Sequence, residues 1–162
     1  MSVNKYQPHV LVLPEDDANR QIANGFHQAL NVNPLALQVM PPAGGWAKVL
    51  DKFEQDHLAG VRKYAQRRIV LLMDFDNDQA RYYVAWGRIP EDVRSRVFVL
   101  GVLSEPEQLR RKTGKHFEAI GNIVAEDCPD ERNELWIDEL LEDNTSEVDR
   151  FITSVNSFLF GA

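Results

Sequence analysis

Asp74, Asp76 and Asp78 alternate directly after the apolar run Ile69-Val70-Leu71-Leu72-Met73, and a fourth acid, Glu15, follows the run His9-Val10-Leu11-Val12-Leu13-Pro14. Crowded carboxylates resist ionising together unless a cation or a proton lies among them. Their hard oxygens suit Mg²⁺, or Mn²⁺ in its place. A lone Glu beside an Asp-x-Asp pair supplies what metal-assisted phosphoryl chemistry needs. The Asp pair holds the cation, with Asp78 as an outer ligand, and Glu15, kept near neutral by its neighbours, exchanges a proton with an attacking or leaving oxygen. The plainer alternative is a polar turn and a helix cap, both of which favour Asp and Asn.

For these acids to meet, the runs before them must be neighbouring strands with a common carboxyl edge, where open α/β sheets bind ligands. The pattern allows this. His9–Leu13 and Ile69–Met73 read as strands buried on both faces, as do Leu35–Met40 and 97–103. Between them the apolar spacing changes to helical. Asp16 or Asp17 caps a helix carrying Ile22, Phe26, Ala29 and Leu30 on one face; Trp46, Val49, Leu50 and Phe53 open a second that reaches Tyr64 with a break near Gly60. Shorter helices are expected at 79–86 and 117–124. Four strand–helix alternations without a repeat predict an α/β fold: a parallel sheet of about four central strands flanked by helices, of Rossmann-like kind.

The chain of 162 residues suits a single domain. Its formal charge of −7 is uneven. From Glu126 to Ala162 there are eleven acidic and two basic residues, a net of −9, which leaves the remainder at +2. Residues 8–125 thus read as the core, and 126–162 as an acidic helical extension packed on it and offering a surface to a protein partner. The first part can still take a phosphate-bearing ligand, though avid non-specific coating of DNA is not expected. Cys128 is the only cysteine, which excludes an internal disulfide and a Cys-based zinc site. The four histidines lack ligand spacing. The polar start and the lack of any run of transmembrane length predict a cytoplasmic protein with no membrane partner.

Glu15 closing one apolar strand, with Asp74-Phe75-Asp76 closing another 59 residues later, resembles the Toprim domain of topoisomerases, bacterial primases and small nucleases. The resemblance spans about residues 8–125. It implies a compact parallel sheet, Mg²⁺ held at one edge by the Asp-x-Asp pair, a catalytic Glu15, and a nuclease or nucleic-acid-processing activity. Gly44-Gly45 before a helix is similar to a glycine-containing segment of several members. The chain departs from the family at Asp16, where Gly is common, and at Pro14, and shows no counterpart of a topoisomerase tyrosine or primase zinc module.

The stretch from Val10 to Arg20 is also similar to the start of a response-regulator receiver domain. That resemblance implies Mg²⁺ on Asp16 and Asp17, phosphate on Asp74 and a switch hydroxyl at Ser104, but no apolar run ending in Lys follows to supply the counter-charge. A non-catalytic binding module on the same fold is the third alternative. Further candidate contacts to phosphate or nucleic acid are Gly44 and Gly45 at a helix start, Arg81, and the basic turn with Arg110, Arg111, Lys112 and Lys115. Glu105 is a candidate extra ligand after the fourth strand. Tyr82, Tyr83 and Trp86 have the chemistry to stack on bases, although their helical spacing suits a core.

Overall fold

The computed structural model describes residues 3–74, 80–101, 111, 114–127 and 145–160. Four strands, β1 (His9–Pro14), β2 (Leu37–Val39), β3 (Arg67–Leu72) and β4 (Val97–Leu100), form one parallel sheet in the order β2-β1-β3-β4. The flanking helices are α1 (Asp17–His27), α2 (Trp46–Lys52), α3 (Leu58–Lys63), α4 (Ala80–Gly87), α5 (Phe117–Asp127) and α6 (Thr145–Val155). This is the α/β architecture expected from the alternation of apolar runs.

Side chains alternate between the two faces of each strand, so the continuous apolar runs fill two cores. Val10, Val12, Val70, Phe98 and Leu100 face α1, α5 and α6. Leu11, Leu13, Ile69, Leu71, Val97 and Val99 face the other layer, with Val49, Leu50, Phe53, Val61 and Ala85. Tyr82 and Trp86 join that second core, while Tyr83 is exposed. Among the described residues no helix is long and apolar enough to cross a membrane.

Several boundaries differ from the sequence reading. Asn33 caps a 3₁₀ turn over Pro34–Ala36 by accepting from Leu35 N at 3.1 Å, so β2 starts only at Leu37 and Leu35 is exposed. Leu30 is fully exposed, because α1 ends at His27 and the chain turns away. The break after α2 is a π-helical turn at Phe53–His57, while Gly60 stays helical in α3. There the Arg67 guanidinium lies where a Gly60 Cβ would stand. The helix at 117–124 extends to Asp127. β4 ends at Leu100, and residues 102–103 fall outside the described residues.

Part of the acidic end is built into the domain. α6 lies against β4, the last strand of the sheet among the described residues. Glu147 Oε2 accepts from Val99 N at 3.0 Å, and Arg150 donates to Val97 O at 2.6 Å and to Arg94 O at 2.8 Å. The two side chains also pair with each other at 3.1 Å. They occupy backbone groups that a further strand would otherwise pair with, which blunts an edge. Residues 128–144 of the expected helical extension lie outside the described residues.

Where α1 crosses α5, glycine faces each helix. A Cβ at Gly25 would stand 1.9 Å from Glu118 O, and one at Gly121 would stand 1.8 Å from Ile22 O. The obstacles are backbone carbonyls, so a methyl group must push the helices apart. Gly25→Ala and Gly121→Ala are each expected to cost about 1–3 kcal/mol, measured by urea denaturation; unchanged midpoints would show that the helices are not so close.

His9 is buried at the start of β1. Its Nδ1 lies 2.7 Å from Gln7 O, and Nε2 accepts from Arg67 Nε at 3.0 Å, an assignment that follows because arginine only donates. Burial, joined by the charges of Arg67 and Arg68, holds its pKa below the ordinary value. The stabilising contribution is therefore full above the unfolded value, about 6.5, and is lost as pH falls through the folded one. Tm is expected to fall between pH 7 and pH 5, and to fall less in His9→Leu; parallel curves would refute this linkage.

Candidate functional site

β1 and β3 run side by side up to Pro14 beside Leu72, and Glu15 N adds one more rung by donating to Leu72 O at 2.8 Å. Glu15 and Asp74 therefore leave the sheet together. The strand order reverses between β1 and β3, since β2 lies to one side and β4 to the other. Such a switch point opens a crevice at the carboxyl ends.

The Glu15 side chain meets the Asp74 backbone directly. Glu15 Oε2 accepts from the backbone N–H of Asp74 at 2.5 Å, and both side chains are nearly buried. Asp74 Oδ1 accepts from Asn19 Nδ2 at 3.1 Å. Asp16 caps α1 through Asn19 N at 2.9 Å, which sets the first turn so that Asn19 points inward from α1. Asn19 is fully buried, and its Oδ1 has no hydrogen-bond partner among the described residues.

The loop after β2 closes over the end of β1. Ala43 N donates to Pro14 O at 2.9 Å, and Gly44 N to Glu15 O at 2.8 Å. Gly44 has φ 95°, a left-handed conformation that suits glycine. The Gly44 amide is thus spent on the protein, and the Trp46 amide at the start of α2 serves the Glu15 carboxylate. Arg81 Nη1 donates to Asp74 O at 3.3 Å, and its guanidinium lies 5.0 Å from the centre of the Trp46 ring.

Burial pushes the Glu15 pKa upward, and the Asp16 charge adds to this. The amides of Asp74 and Trp46 and the charge of Arg81 pull it down, and burial prevails. A desolvated acid with a raised pKa, bonded to the backbone of a second acid at a switch point, is suited to proton transfer.

Glu15, Asp74 and Arg81 thus come together, with Gly44 and Gly45 in the loop above them. Arg111 and Lys115 are exposed, Lys115 in the turn before α5. Asp76, Asp78, Ser104, Glu105, Arg110 and Lys112 lie outside the described residues. Asp16 and Asp17 serve α1: Asp16 is its cap, and exposed Asp17 binds Arg20 and Gln21. The acid that reaches across to residue 74 is Glu15. Asn19 was not anticipated; its signal was its place three residues after a helix cap that itself follows a strand-ending acid.

Among the described residues no three His, Cys, Asp or Glu side chains gather into a metal cluster. The donors present are two carboxylates and the unpartnered amide oxygen of Asn19, all hard oxygens. They fit Mg²⁺, which keeps several waters and takes one or two carboxylates. No family model matches the chain, and no curated protein or solved structure compared with it does either.

The raised pKa means that Glu15 stabilises the fold fully below its unfolded value of about 4.5 and loses this as pH rises through the folded one. At about ten times its Kd, Mg²⁺ or Mn²⁺ is expected to add ~1.4 kcal/mol at pH 7, roughly 3–6 °C in Tm. The gain should shrink towards pH 4, where protons compete, and vanish in Asp74→Asn. Equal gains in wild type and variant would remove Asp74 from any cation site.

Proposed function

We propose that the protein is a Mg²⁺-dependent phosphodiester-cleaving enzyme of Toprim-like kind, acting as a nuclease or nucleic-acid-processing factor. The observation that carries this reading is the contact of Glu15 with the Asp74 amide at the β1/β3 switch point. Asp74 would hold the cation, with Asn19 fixing its carboxylate, and Mn²⁺ would serve in place of Mg²⁺. A bound cation supplies charge stabilisation to a phosphoryl oxygen and makes a coordinated water more acidic. Glu15 holds a proton more readily than an ordinary glutamate, so it suits transfer to or from an oxygen of the phosphodiester. Arg81, bonded to the Asp74 carbonyl and lying over the Trp46 ring, would steady a phosphate.

A second reading rests on the same hydrogen bonds. The Glu15 carboxylate serves backbone amides from β3's end and α2's start, as a structural staple would, and a non-catalytic binding module needs no more. A third, the degenerate receiver domain, keeps Asp74 as phosphate acceptor but finds Asp16 and Asp17 engaged within α1.

Wild type, Glu15→Gln and Asp74→Asn should be compared on single- and double-stranded DNA and RNA with Mg²⁺ and with Mn²⁺. Wild type is expected to cut at least one substrate, and Glu15→Gln to lose about 10²–10⁴-fold in rate while keeping the cation-dependent rise in Tm. Asp74→Asn should lose both. Acetyl phosphate should leave Asp74 unmodified. No cleavage and no cation effect in wild type would put the binding module first, and a stable acyl phosphate on Asp74, seen by mass spectrometry, would favour the receiver.

A further inference from the structure

At the opposite edge of the sheet, by the amino ends of β1 and β3, three cations surround one aromatic ring. Tyr64 follows the last turn of α3. Lys5 Nζ lies 5.3 Å from its ring centre, Lys63 Nζ 5.4 Å and Arg67 Cζ 4.9 Å. Tyr6 meets the Tyr64 ring edge-on, with centroids 5.9 Å apart and planes at 79°, and is itself 78% exposed. Lys5, Tyr6, Lys63, Tyr64, Ala65 and Gln66 line a shallow cavity of about 260 Å³.

One cation over a tyrosine ring is an ordinary attraction, but three around the same ring repel one another. Among the described residues no acid pairs with them to relieve this. The ion pairs of the described residues join Arg20 to Asp17, Arg62 to Asp92, Arg88 to Asp51 and Glu54, and Arg150 to Glu147. Lys5, Lys63 and Arg67 are in none of them. Arg67 is held through His9, the base of a rigid strand, so it cannot simply swing away. Desolvation pushes the Tyr64 phenol up, the ammonium groups of Lys5 and Lys63 pull it down, and the balance lies below its ordinary value. The field in this corner is thus positive enough to favour an anion, on a protein whose net charge is −7.

We infer that this corner binds single-stranded nucleic acid, with a backbone phosphate among Lys5, Lys63 and Arg67 and an unpaired base stacked on Tyr6. Cations supply the phosphate contact, and an exposed aromatic face supplies a stacking platform that any base can use. A duplex keeps its bases stacked inside and offers nothing to Tyr6. β1 alone spaces this corner from Glu15 by about 20 Å at the usual rise per residue, so the surface is separate from the candidate site. It needs neither a metal nor the carboxylates.

The test is fluorescence anisotropy of labelled oligothymidylate and oligouridylate, each about 20 nucleotides long, against the full chain in EDTA over a series of salt concentrations. Wild type should bind, with affinity falling as salt rises. The double variant Lys5→Ala, Lys63→Ala should lower the slope of log affinity against log salt by about 1.4, two contacts' worth on a single strand. Tyr6→Ala should weaken binding about tenfold, and Tyr6→Phe should restore it. Circular dichroism of each variant separates lost contacts from lost folding. No binding by wild type, tighter binding to duplex than to single strands, or a slope unchanged in the double variant would each overturn the inference. Binding in EDTA by a protein that cuts nothing in Mg²⁺ would support this surface while removing the catalytic reading.

Discussion

The pairing of β1 with β3, from His9 beside Arg67 to Pro14 beside Leu72, is the constraint on which the rest of the molecule depends. Both strands are central, so each must satisfy its backbone groups from two sides and bury side chains on two faces. That requirement accounts for the unbroken apolar runs and for a polar break at the carboxyl end. It also decides which residues meet. With the register set, Glu15 and Asp74 have no other exit from the sheet than beside each other, and the first turn of α1 brings Asn19 in from the side. At the amino end the same register places His9 against Arg67, which holds that guanidinium over Tyr64. The two polar corners are opposite ends of one strand pair, one acidic and desolvated, the other basic and open.

α6 shows how the fold treats its outer side. A carboxylate at 4% exposure is costly unless every oxygen has a donor. Glu147 meets the cost with Val99 N, Tyr82 OH and Arg150. Arg150 lies against the rings of Trp86 and Phe98, so its charge is bonded at the tip and packed along the plane. A charged pair on a helix thus stands in for a neighbouring strand. At Glu147 the acidic character of the chain's last part is internal wiring.

The sheet was legible because a strand buried on both faces leaves a contiguous apolar run, which is the strongest pattern a sequence can carry. The acids closing two runs were legible for the same reason: the end of such a run is the carboxyl edge. Features that depend on what packs opposite were not. The place of Asn19 three residues after a helix cap marks it only faintly, because its role comes from Asp74, 55 residues away. Gly25 and Gly121 read as weak points in helices until the crossing of α1 and α5 shows why a side chain has no room. The π-helical turn at Phe53–His57 leaves the apolar period almost intact and so is hidden from it. Leu30 was assigned inward because apolar spacing continues past His27, although the helix does not.

The Glu15 carboxylate deserves a comparison with a neutral substitute. Two backbone amides can be bonded by any acceptor, and a neutral one would avoid the cost of burying a charge. Burial outweighs those amides at Glu15, so the hydrogen bonds do not fully compensate the ionised form. The Asp74 backbone amide that it accepts from belongs to a second acid, whose Oδ1 is held by Asn19 Nδ2, and Asn19 Oδ1 is a buried oxygen with no hydrogen-bond partner among the described residues. A tie between β1 and β3 needs only an acceptor, and an ionised one costs the fold more than a neutral one would. A positive charge, whether a proton held at Glu15 or a divalent cation at Asp74, is what would offset a buried carboxylate. That common remedy is why the proton-transfer and metal-binding roles belong to one proposal, and why each is tested by a change in charge that leaves the shape intact.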